Sequence, residues 1–312
     1  MKRHRIVAGI AIAIVAALAV MGLVFCWCCP DWIHDAGGAV SHFRFVRQLA
    51  WNCAGVVAFG IALWVGWERW LKGSPLVFAG WVALWVVAHT GPRINGAYSY
   101  AILGPVSVEV WAVFPFAIAL LTAWVAKRYG SRTKWILLSV CAAFAIALCL
   151  QVLMNYNRME RLVAWFNGED FSYGTARAAL QTEMKHLFVS ANWFSGADGE
   201  LKRLPCLFTS GAASAAAWLF GKWFVALAMA LFAALALCFA WVCRYAQSRE
   251  KEFFILIWGA CVVALGVNCP LQCLGLVPFC DVCMPMISFG GTYVLMTWMG
   301  LGVLSSICME EV

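Results

Sequence analysis

Val277-Pro278-Phe279-Cys280-Asp281-Val282-Cys283-Met284-Pro285-Met286-Ile287-Ser288-Phe289-Gly290-Gly291-Thr292-Tyr293 lies between two apolar runs near the C-terminus. It carries two prolines and a Gly-Gly pair, so it is no plain spanning helix. A proline removes an N–H and collides with the preceding turn, and a helical glycine costs about 1 kcal/mol relative to alanine. In hydrocarbon, irregular backbone persists only where protein or a water-filled cavity covers it. The stretch is either one wall of a cavity at a membrane face or a short loop between two helices. In the first case Pro285, Ser288, Gly290 and Gly291 are candidate wall residues.

The rest of the chain is a membrane protein by composition. Of 312 residues, 64% are hydrophobic and 12% charged, against roughly 45–50% and about 25% in soluble domains. The net charge of +7 is therefore read as topology signal and contact with anionic membrane lipids, with no nucleic-acid partner. Eighteen Trp suit anchoring at the bilayer interfaces. Among fifteen Cys, those inside apolar runs (Cys53, Cys141, Cys149, Cys238, Cys261, Cys308) read as small hydrophobes. A second group gathers at predicted membrane edges: Cys26, Cys28, Cys29, Cys206, Cys269, Cys273, Cys280 and Cys283. Packing thiols, disulfides on an oxidising face, and zinc held by Cys280-x-x-Cys283 with the upstream pair all remain open. No His lies nearby, and no metal site is assigned.

Apolar runs of bilayer length fall at about 6–26, 49–67, 75–88, 106–125, 135–154, 208–242, 253–274 and 293–308. The first follows Lys2, Arg3 and Arg5 and lacks a small-residue cleavage site, which predicts an uncleaved helix. The run 208–242 is long for one vertical helix and has no evident turn, which predicts a tilted or bent one. Four short segments hold Lys2, Arg3, Arg5, Arg69, Lys72, Lys127, Arg128, Arg132, Lys134, Arg244, Arg249 and Lys251. The short segments of opposite parity hold only Arg44, Arg47 and Arg93. The positive-inside rule then puts both termini in the cytoplasm. The expected architecture is an all-α polytopic domain over residues 1–312, with about eight transmembrane helices. The large loop 155–207 and the stretch around Pro285 share its outer face. Glu109 and Lys222 fall inside apolar runs, where a charge is costly. They pair with each other, or Glu109 sits at the wet end of its span while Lys222 snorkels.

The segment Met284–Tyr293 resembles the last hairpin of the SEDS family, the FtsW/RodA/SpoVE-type membrane glycosyltransferases of cell division and cell shape, which typically reads Leu-Pro-Phe-Ile-Ser-Tyr-Gly-Gly-Ser-Ser. The likeness runs along the chain in family order. Arg47-Gln48-Leu49 fits the start of the second span. Asn95-Gly96-Ala97 and Leu103-Gly104-Pro105 fit the loop before the fourth. Tyr156-Asn157-Arg158-Met159-Glu160-Arg161-Leu162 fits the start of the large outer loop. The resemblance implies a polymerase of the lipid-linked disaccharide precursor lipid II in the bacterial cytoplasmic membrane, partnered by a class B penicillin-binding transpeptidase. It leaves a divalent cation open as cofactor.

The departures bear on activity. The catalytic Asp of the family, in Leu-Pro-x-x-His-Thr-Asp, falls on Ser210, and its His on Phe208. The family's Gln-Pro-Ser-Glu falls on Glu109-Val110-Trp111-Ala112, so its Glu is missing. The family usually has ten spans, and no Gln-Pro-Asp-Leu-Gly run introduces the extra pair, so the chain reads as a shortened, divergent member. Serine is no base near neutral pH without activation, and Asp198 and Glu200 are the substitute candidates. Arg93, Arg158, Arg161, Lys202 and Arg203 are candidates for substrate pyrophosphate. Two alternatives stand beside the enzyme. One is an inactive homologue that binds precursor or scaffolds a division complex. The other is a transporter with a broken-helix site.

Overall fold

The computed structural model describes residues 2–28, 42–91, 100–104, 106–130, 176–197, 209–277 and 283–310. The elements are α1 (Lys2–Cys28), α2 (Phe43–Val65), α3 (Trp67–Thr90), β1 (Tyr100–Leu103), β2 (Val106–Glu109) and α4 (Val110–Tyr129). They continue with α5 (Ala176–Ser190), α6 (Ala212–Phe220), α7 (Lys222–Arg244), α8 (Arg249–Cys273) and α9 (Gly291–Glu310). Among the described residues seven helices, α1–α4 and α7–α9, are long and apolar enough to cross a membrane. This is a multi-pass helical membrane protein. The expected span at 135–154 lies outside the described residues.

The bundle has two distinct ends. At the basic end, Lys127 of α4 pairs with Glu68 of α3 at 2.9 Å. Lys251 of α8 pairs with Glu310 of α9 at 3.8 Å, and His4 packs on Trp241 with ring centroids 5.1 Å apart. The opposite end carries the β-hairpin, α5, α6 and the broken segment. α9 is the central post, with 78% of its spanning window buried. Small residues let its neighbours approach, as expected where lipid supplies no hydrophobic drive between helices. Gly55 of α2 lies against Trp298, Gly291 against Trp51, and Gly302 against the Phe59 backbone. On α8, Gly259 and Gly266 receive Phe239 and Phe232 of α7.

Three expectations need correction. The fourth span does not begin at residue 106. Tyr100–Leu103 pairs antiparallel with Val106–Glu109, Tyr100 opposite Glu109, around a turn at Gly104 (φ 62°). The alternation in Val106-Ser107-Val108-Glu109 suits a half-exposed strand, and the helix starts only at Val110. Second, the third span starts at Trp67, well before the expected residue 75. The chain reverses at Gly66 alone (φ 77°), and buried Trp67 already begins α3. Likewise α2 begins at Phe43, before the expected start of the second span at about residue 49. Third, 208–242 is no single bent helix. It breaks at Gly221 (φ 95°), a conformation cheap only for glycine, and a Cβ there would meet the Trp193 carbonyl at 2.6 Å. Lys222 therefore stands at the head of α7. Its Nζ donates to the Val189 carbonyl in the last turn of α5 at 3.0 Å, a cation at a helix C-terminus. The expected pairing of Lys222 with Glu109 gives way to this contact.

Candidate functional site at the broken segment

Residues 283–290 form a buried, non-helical plug between α8 and α9. Within it the Met284 N–H donates to Ser288 Oγ (2.8 Å) and the Ser288 N–H to the Met284 carbonyl (2.9 Å). The Ser288 hydroxyl donates in turn to the Thr209 carbonyl, 2.8 Å away. Met286 takes φ 69°, a strained conformation for a side-chain-bearing residue. What holds it comes from α2. Gln48, fully buried, donates Nε2 to both the Met286 and Ser288 carbonyls at 3.3 Å. Asn52 braces it, donating to the Gln48 carbonyl at 2.9 Å and accepting from the Trp298 indole at 3.3 Å. Gln48→Leu fills similar space but leaves two buried carbonyls without this donor. It is expected to cost about 2 kcal/mol, measured as a lower unfolding temperature of the detergent-solubilised protein.

Two opposite charges reach the segment's C-terminal half. Glu109, at the end of β2, is half-buried. Its N–H donates to Thr292 Oγ1 and its Oε1 accepts from the Tyr293 hydroxyl, both at 3.1 Å. The Arg47 guanidinium lies 5.4 Å from the Phe289 ring centroid and 5.5 Å from that of Phe43, within cation–π range. Beside Tyr293 an apolar cleft between α4, α8 and α9 is lined by Pro115, Phe116, Trp258, Val262 and Pro285. The site thus offers a positioned carboxylate, a guanidinium and an apolar wall within a few residues of Gly290 and Gly291.

Ser210 presents a different picture. It is fully buried just before α6. Its carbonyl accepts from Gln272 Nε2 (3.2 Å) and from the thiols of Cys269 (3.3 Å) and Cys273 (3.6 Å), all on α8. This position serves as a backbone joint. Cys28, Cys269 and Cys273 are free thiols, Cys26 and Cys283 are buried, and Cys29, Cys206 and Cys280 lie outside the described residues. Among the described residues, no three His, Cys, Asp or Glu side chains converge in a way that would hold a metal ion.

A family model for cell cycle proteins, FtsW/RodA/SpoVE, matches residues 9–172, more than half of the chain. The chain belongs to the FtsW/RodA/SpoVE family. No curated protein matches it in sequence. Its fold matches solved structures almost end to end. A chain of a structure described as the structural coordination of polymerization and crosslinking by a peptidoglycan synthase complex superposes with a TM-score of 0.70 at 15% identity, covering 96% of this chain and 97% of the other. The Thermus thermophilus rod shape determining protein RodA superposes at 0.64, and a point mutant of that RodA at 0.66. Both are 17% identical, with 96% of each chain covered.

For this FtsW/RodA/SpoVE member, the candidates divide by position. Pro285 lines the cleft, Ser288 ties the plug to Thr209, Gly290 approaches Tyr293 and Cys283, and Gly291 receives the Trp51 ring. Ser210 is sealed behind α8. Arg93, Arg158, Arg161, Asp198, Glu200, Lys202 and Arg203 lie outside the described residues. Neither Glu109 nor Arg47 is a site candidate on sequence alone. The signal for Glu109 is the strand-like alternation before it, hidden inside an apolar run.

Proposed function

We propose that the protein is an FtsW/RodA-type peptidoglycan glycosyltransferase that polymerises lipid II in the bacterial cytoplasmic membrane. Its termini face the cytoplasm, its broken segment faces outward, and a class B penicillin-binding transpeptidase is its partner. The observation that carries this reading is Glu109, anchored through its N–H on Thr292 Oγ1 and with its carboxylate held by the Tyr293 hydroxyl. Glycan extension needs an acceptor hydroxyl to lose its proton while attacking an anomeric carbon, and a carboxylate within hydrogen-bond reach suits that step. Tyr293 fixes the rotation of the carboxylate. Aligning Val106-Ser107-Val108-Glu109 with Gln-Pro-Ser-Glu moves the register by three residues and puts Glu109 on the family's Glu.

The departing pyrophosphate needs positive charge. Arg47 supplies it beside Phe289, with Arg93, Arg158, Arg161, Lys202 and Arg203 as outer-loop contributors. The described residues do not assemble a site for the divalent cation that the resemblance leaves open, so no step is assigned to one. A transporter with a broken-helix site would offer free carbonyls to an ion, and two carbonyls of the segment, those of Met286 and Ser288, already accept a donor from Gln48.

The burial of Ser210 favours a second reading, an inactive homologue that binds precursor. Purified protein with labelled lipid II, with and without a transpeptidase, separates the two: polymer supports the enzyme, and binding without polymer supports the homologue. Ser210→Asp is not expected to raise polymerisation. It places a charge-bearing, larger side chain in a fully buried position and is expected to cost about 3 kcal/mol or more in thermal unfolding.

A further inference from the structure

The turn at residues 191–197 follows α5 at the hairpin end. It is short, firmly tied and presents large apolar side chains outward. Trp193 is 61% exposed and Phe194 82%. The Asn192 N–H donates to the Gly196 carbonyl at 3.0 Å, and the Ala197 N–H to that of Trp218 at 2.9 Å. The carbonyls of Asn192 and Trp193 each accept, at 3.0 Å, the N–H of Lys222 and Trp223, the first residues of α7. The turn thereby satisfies donors that a helix start leaves open, and its height is locked to the head of a membrane-crossing helix.

That helix points to what covers the aromatics. α7 exposes Trp223, Leu227 and Leu237 along one side, which in a bilayer-crossing helix faces acyl chains. Trp193 and Phe194 are tethered to the hairpin end of this helix, beside Trp223. Exposed Val189 lies at the end of α5 and Lys222 at the head of α7, where its ammonium binds the Val189 carbonyl. Aromatic rings with an adjacent cation at a span's end match the headgroup layer, where amphipathic rings sit and anionic lipids attract lysine. α5 itself packs inward through Met184 and Leu187, with Ala191 just beyond it.

We propose that the 191–197 turn inserts Trp193 and Phe194 into the phospholipid headgroup layer at the hairpin end, and so docks α5 on the bilayer surface beside α7. This role is independent of catalysis. The test places the photoreactive residue p-benzoyl-phenylalanine at Phe194, and in a second variant at Trp193, in the full chain within membranes of the expressing cell. The same residue at Leu237 is the lipid-facing reference. Mass spectrometry of the irradiated, purified protein is expected to show phospholipid adducts at both sites within about threefold of the Leu237 yield. A lower yield at both sites, or adducts chiefly to another polypeptide, would overturn the proposal. The second outcome would identify a protein-docking surface instead.

Discussion

Glu109→Gln is expected to lower lipid II polymerisation by about a hundredfold or more, the usual contribution of a positioned general base. The amide can still accept from the Tyr293 hydroxyl, now 3.1 Å from Oε1, so the hairpin and α9 keep their contact. Binding of labelled lipid II is therefore expected to stay within about threefold of the parent, because only the proton-accepting capacity is lost. The split between rate and binding separates a base from a packing residue, which would lose both. A Glu109→Gln protein that polymerises at the parent rate would overturn the assignment of Glu109 as the base, while its polymer would still identify an enzyme.

Gly22→Ala is expected to be among the most damaging single-methyl changes in the chain. Gly22 of α1 lies against the Met286 carbonyl, and an added Cβ would collide with that backbone oxygen and crowd the Met286 carbonyl carbon and the Ile287 Cα at 3.0 Å. A flexible side-chain tip would yield; this backbone is pinned by Gln48. Overpacking of a fitted core costs about 1–3 kcal/mol, with the upper end expected here and a matching fall in unfolding temperature. Gly9→Ala, in the same helix with nothing within 4 Å of the new methyl, is the control. It is expected to be neutral or slightly stabilising, since alanine favours helix by about 1 kcal/mol over glycine.

The spans were legible because an apolar run of bilayer length admits few structures. What misled was that hydrophobicity does not report backbone conformation. Val106 and Val108 count toward a span as readily as toward a strand, so the hairpin disappeared into the fourth run and took Glu109 with it. Gly221 sits among apolar residues with no polar flank before it to signal a break. Conversely, Arg44, Arg47 and Gln48 looked like loop yet lie in the first turns of α2, where Gln48 is buried by the plug it holds. The motif around Pro285 was legible as irregular backbone. Its partners, two hundred and more residues upstream, were set by tertiary pairing.

The α2–α9 contact has a mechanical consequence. Trp51 meets Gly291, Gly55 meets Trp298 and Phe59 meets Gly302, one pair after another down two helices that run in the same direction. Each pair is a ring or backbone edge seated where a side chain is missing. A slide by one helical turn, about 5.4 Å, would drive three bulky groups into filled positions at once. The pair is thus indexed like a key in a lock. Any opening of the bundle that would admit the proposed lipid-borne substrate has to swing other helices about this axis, while Gln48 keeps its grip on the plug.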